Sequence, residues 1–125
     1  MPDKKFKIVL IEDEEMLSNM YEAKFTKEGY EIKKALDGET GLQLIQTNKP
    51  DLVLLDIIMP KLDGFSVLRK IKEDPKTKNV PVILLTNLGQ DEDIKKGNIL
   101  GAAGYLVKAN LTPAQVVEKA KEFLK

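Results

Sequence analysis

Carboxylates cluster at two points of this sequence, each directly after a short apolar run. Ile8-Val9-Leu10-Ile11 leads into Glu12-Asp13-Glu14-Glu15, and Leu52-Val53-Leu54-Leu55 leads into Asp56. Two further runs end on complementary groups: Val82-Ile83-Leu84-Leu85 on the hydroxyl of Thr86, and Gly104 to Val107 on the ammonium of Lys108. If the ends of these runs meet, like charges a few ångströms apart must either take up protons or hold a hard cation. The chain contains no histidine and no cysteine, so a metal can be bound only through oxygen. That leaves Mg2+, Ca2+ or Mn2+, with Mg2+ the natural choice because it keeps several waters and leaves room for a phosphoryl oxygen. The same two absences exclude a histidine general base, disulfides and thiol chemistry. A carboxylate, a metal, a hydroxyl and an ammonium suit phosphoryl transfer, which depends on alignment and charge neutralisation. An aspartate can itself be the nucleophile, giving an acyl phosphate.

The elements that must position these groups can be read from the same runs. The three apolar runs are continuous rather than alternating, as expected of central parallel strands covered on both faces. Glu31 to Ala35 and Gly104 to Val107 carry polar positions and suit sheet edges. Segments with helical spacing lie between. The first helix runs from about Glu15 to a stop at Gly29, and Asp37-Gly38 and Asp63-Gly64 begin the second and third. A fourth, near Asp91 to Leu100, is interrupted by Gly97. The last has Thr112 as N-cap, Pro113 at its first position and Gln115 three residues after the cap. Its apolar stripe is Val116, Val117, Ala120, Phe123 and Leu124. Five strand–helix units in succession imply an α/β fold with right-handed crossovers. With the apolar strands central, the flavodoxin-like order is 2-1-3-4-5, a doubly wound five-stranded parallel sheet with five helices. That order reverses between strands 1 and 3, where ligands bind at the carboxyl ends.

With 125 residues the chain suits one domain over 1–125, and its twenty acidic and twenty basic side chains cancel. No global field favours nucleic acid or an anionic membrane. The run from Ile8 to Ile11 is too short for a membrane span or signal-peptide core, so a cytoplasmic protein is expected.

Taken together, Ile11-Glu12-Asp13, the stretch Leu54-Leu55-Asp56-Ile57-Ile58-Met59-Pro60-Lys61-Leu62-Asp63-Gly64, Leu84-Leu85-Thr86 and Gly101-Ala102-Ala103-Gly104-Tyr105-Leu106-Val107-Lys108 resemble the receiver domains of two-component response regulators. The likeness runs over essentially the whole chain and is nearest to stand-alone, chemotaxis-type receivers. It implies that Asp56 is the phosphoacceptor. Asp13 and Asp56 would ligate Mg2+ directly with the backbone carbonyl of Ile58, and Glu12 would act through water. Lys108 would pair with the phosphoryl group, Thr86 would hydrogen-bond it, and Tyr105 would turn inward as Thr86 moves. The implied donor is a histidine kinase or phosphotransfer protein. The implied output is a downstream protein read through helix 4, strand 5 and helix 5, with no direct contact to nucleic acid or membrane. A monomer is expected, with dimerisation on phosphorylation left open. So is a regulatory phosphoacceptor that assists only its own phosphorylation and dephosphorylation, not an enzyme acting on external substrates.

Two positions depart from the family pattern. Ala109 stands where a proline with a cis bond usually follows the lysine, so a trans Lys108–Ala109 bond is expected, with Asn110 in a left-handed conformation absorbing the change of path. Asn87 is bulkier than the usual small residue after Thr86, which bears on water access to the phosphate. Singly, each site residue has a plainer reading. Asp13 or Glu14 would cap a helix, Asp56 would be a turn residue, Lys108 a solvated charge and Tyr105 a packing residue. Their conjunction at one end of one sheet carries the functional reading. A flavin-binding electron carrier would need a phosphate-cradling loop where Glu12 to Glu15 repel an anion, and there is no Trp to stack on the flavin. An aspartate-nucleophile phosphatase would need a second Asp where Ile58 stands. The alternative that remains is a receiver-like interaction module that is not phosphorylated in use.

Overall fold

A computed structural model of the chain describes residues 6–59, 62–87 and 91–124; Met1 to Lys5 and the motif residues Pro60 and Lys61 lie outside it. Each apolar run became a strand: β1 is Lys7–Ile11, β3 Leu52–Asp56 and β4 Val82–Thr86. The polar candidates became β2 (Glu31–Ala35) and β5 (Gly104–Val107). All pairings are parallel, in the order β2-β1-β3-β4-β5.

Continuous hydrophobicity has a direct cause, because consecutive strand residues face opposite helical layers. Ile8, Leu10, Leu52, Leu54, Ile83 and Leu85 pack under α1 (Glu15–Lys27) and α5 (Pro113–Lys121), against Tyr21, Phe25 and Val116. Val9, Ile11, Val53, Leu55 and Leu84 face the other way, onto α2 (Gly38–Asn48) and α3 (Gly64–Glu73) through Ile45, Leu68 and Ile71. Burying one such side chain contributes about 1.5–3 kcal/mol.

Helix starts follow the sequence signals. Asp37 accepts from the Thr40 N–H at 2.8 Å and Asp63 from the Ser66 N–H at 3.0 Å. Thr112 and Gln115 form the reciprocal capping box at 3.2 and 2.8 Å. α4 (Asp91–Ile99) keeps Gly97 for a packing reason, since a Cβ there would lie 2.4 Å from Leu84 Cδ1.

Two local expectations are corrected. Asn110 is not left-handed: it closes a 3-10 turn, Lys108–Asn110, and among the described non-glycine residues only Lys49 has positive φ. The Lys108–Ala109 bond is trans, as expected, and the tight turn absorbs the altered path. Phe123 does not share the buried stripe of α5. The regular helix ends at Lys121, and Phe123 lies beside Gly104 of β5 with 37% of its surface exposed, while Leu124 is buried.

Candidate functional site

Register alone brings the singled-out residues to one end of the sheet. Ile11 pairs with Leu55, so Glu12 and Asp56 are level; Asp56 pairs with Leu85 and Thr86 with Val107, which sets Thr86 one step and Lys108 two steps further on. Glu12, Asp56, Thr86 and Lys108 are buried, and Asp13 is exposed at the rim.

Lys108 Nζ lies 2.8 Å from Glu12 Oε1 and 3.2 Å from Asp56 Oδ2. The second Glu12 oxygen accepts the Glu14 N–H at 3.0 Å. Glu14 stands at the N-cap position of α1 but makes no side-chain cap bond, so capping is not its role. Glu12, Asp13 and Asp56 each offer an oxygen, all within 4.8 Å of one another. Three carboxylates against one ammonium leave two negative charges uncompensated when all are ionised. Burial, then the Glu12 charge, push the Asp56 carboxyl up to about 7, with Lys108 limiting the rise. Burial works to lower the Lys108 ammonium, yet the hydrogen bonds and charges of Glu12 and Asp56 hold it above its ordinary value. An all-oxygen, over-anionic donor set of this kind fits a hard divalent cation, and Mg2+ in particular. Ile58, two residues beyond Asp56 with a side chain 78% exposed, follows in the loop. Tyr105 is 44% exposed on β5.

The sequence reading missed the support beneath the cluster. Tyr21, buried on the sheet side of α1, has its hydroxyl pushed up to about 12 by burial and then by the Glu12 charge, with Asp56 and Glu14 adding to the rise. Ser18, one turn earlier, is buried with its Oγ unpartnered among the described residues. Polar residues at i and i+3 on a helix's buried face were the available signal. Gly64 was read only as a helix start. A Cβ there would stand 2.3 Å from the Asp56 carbonyl oxygen, and its N–H donates to Ile57 O at 2.8 Å.

A 2-1-3-4-5 parallel sheet presenting three acidic oxygens, a buried hydroxyl and a buried lysine at its carboxyl ends defines the receiver class of signalling domain. Residues 8–121 match the response regulator receiver domain family, and the chain belongs to it. It is 42% identical over 102 residues to the response regulator PleD of Caulobacter vibrioides, covering 82% of this chain and 22% of that protein. With the DNA-binding dual master transcriptional regulator RpaA of Synechocystis it shares 37% over 102 residues, covering 82% of this chain and 42% of the relative. The chain therefore spans less than half the length of either. The chemotaxis response regulator CheY4 of Vibrio cholerae superposes with a TM-score of 0.89 at 25% identity, over 96% of this chain and 99% of that one. Among the described residues no helix is long and apolar enough to cross a membrane.

Proposed function

We propose that Asp56 accepts a phosphoryl group from a histidine kinase or phosphotransfer protein, with Mg2+, and that the product alters the α4–β5–α5 surface read by a downstream protein. The observation that carries this is the buried Asp56 carboxylate, 3.2 Å from Lys108 Nζ and grouped within 4.8 Å with oxygens of Glu12 and Asp13. An Asp56 oxygen attacks phosphorus, the new O–P bond forms as the donor's P–N bond breaks, and the electron pair leaves with the imidazole. Asp13, Asp56 and the Ile58 carbonyl are the residues that would hold the cation, with Glu12 behind them. Bound Mg2+ supplies positive charge to the phosphoryl oxygens. Lys108 already sits at Asp56 and needs only to exchange Oδ2 for a phosphoryl oxygen. Thr86, buried at the end of β4, offers its hydroxyl to the same group, and Tyr105, 44% exposed on β5, turns inward when Thr86 shifts. The domain acts as a single regulatory unit on its own carboxylate, not on external substrates.

Intact-mass measurement after exposure to acetyl phosphate tests this. Wild type should gain one phosphoryl group with Mg2+ and none with chelator, and Asp56→Asn should gain none. Labelling of Asp56→Asn at the wild-type level would overturn the assignment. An unlabelled wild type would instead support an interaction module that works without phosphorylation.

A further inference from the structure

We propose that Lys96 straps α4 to the first turn of α3, and so couples α4 to the backbone of the phosphoacceptor strand. The coupling rests on Asp56 being the phosphoacceptor; the strap itself does not.

Lys96 Nζ lies 4.5 Å from the centroid of the Phe65 ring, inside the range in which a cation is drawn to an aromatic face. Lys96 is an exposed residue on α4, free to extend into water, whereas Phe65 is a buried residue of α3 embedded in the core with Leu55, Leu68 and Leu84. A carboxylate stands on the same side. Asp63 caps α3, and its carboxyl is held below the usual range: burial works against this, and hydrogen bonds from Ser66 and the Phe65 N–H prevail, with the Lys96 charge adding to them. The ammonium thus faces both a ring and a carboxylate on the first turn of α3.

Both ends of this contact are anchored. The residue after Lys96 is Gly97, whose Cα lies against Leu84 of β4 so closely that no Cβ could be added without displacing that side chain. The residue before Phe65 is Gly64, which rides on the Asp56 carbonyl and donates to Ile57 O. A displacement of the Asp56–Ile57 backbone therefore moves the ring beneath Lys96, and α4 feels it through one contact. Thr86 and Tyr105 share the Leu84 face of the sheet with this route, which reaches α4 through Phe65 rather than through them. A double-variant cycle measures the energetic coupling between the two residues.

The measurement is amide hydrogen exchange in α4 of the unphosphorylated, metal-free protein. Lys96→Met keeps the aliphatic stem and removes the charge; Phe65→Leu keeps an apolar side chain and removes the ring. Lys96→Met should speed exchange in α4 about two- to five-fold with β3 and β4 unchanged; Phe65→Leu, which also leaves a gap in the core, should speed it at least as much, and adding Lys96→Met to Phe65→Leu should speed α4 no further. Lys96→Arg should behave as wild type. Wild-type exchange in Lys96→Met, or effects that multiply in the double variant, would overturn the strap. If Phe65→Leu does not fold, the Met and Arg variants decide alone. With acetyl phosphate and Mg2+, at matched labelling by intact mass, the change in α4 exchange should be smaller in Lys96→Met than in wild type. An equal change overturns the coupling. A wild type that takes no label overturns the phosphoacceptor reading and the coupling with it, while the unphosphorylated arm still judges the strap.

Discussion

In metal-free protein, burial and then the Glu12 charge push the Asp56 carboxyl up to about 7 from the ordinary 3.8. A raised folded-state value means that the folded protein holds the proton more tightly than the unfolded chain does. The stability this contributes is complete below about pH 4 and is lost as pH rises through about 7. Asp56→Asn, which cannot ionise, should therefore be more stable than wild type at pH 8 in chelator. Roughly three pKa units correspond to about 4 kcal/mol, but Asn also gives up the attraction to Lys108. The expected gain is on the order of 2 kcal/mol. Urea unfolding at pH 4 and pH 8 checks it, and a gap that fails to widen towards pH 8 would refute it. At this scale the sequence showed which groups meet, since Glu12, Asp56 and Thr86 each end an apolar run and Lys108 ends an edge-strand candidate. It did not show their pairing. That Lys108 leans more closely on Glu12 than on Asp56 depends on side-chain reach across strands, which spacing along a chain does not encode.

Among the elements, the central strands were legible because burial on two faces leaves polar positions only at their ends, and the caps because Asp37, Asp63 and Thr112 satisfy amide groups a few residues away. What was illegible came from contacts between distant parts. Gly97 looked like a weakness until Leu84 was seen against it, and Phe123 looked like core until α5 ended two residues before it. The close of α2 had no glycine to announce it: Lys49 takes the left-handed conformation at φ 47°. A side chain there carries a steric cost that glycine avoids. Lys49→Gly should consequently raise stability by about 0.5–1 kcal/mol, read from the urea midpoint at unchanged m-value. A loss of stability would mean that the freedom glycine adds to the unfolded chain outweighs the relief.

For the molecule as a whole, the acidic crevice leads us to expect that stability depends on divalent cation. A ligand that binds only the folded state stabilises by about 2.7 kcal/mol at a hundred times its dissociation constant. Saturating Mg2+ should raise the unfolding temperature of wild type, and chelator should reverse it. Asp13→Ala should remove most of that gain while remaining at least as stable as wild type in chelator, because Asp13 is exposed and its loss relieves repulsion within the cluster. A large loss in chelator would make Asp13 a structural residue. The ion pairs of the site also have a kinetic reading. Lys108 meets Glu12 across 96 residues of sequence and Asp56 across 52, so the cluster cannot close until β5 has docked on β4. A chain emerging from synthesis carries its three carboxylates together well before their ammonium arrives. Closure of the two ion pairs is thereby withheld until the last strand is in place, and assembly of the charge cluster reports that β5 has docked.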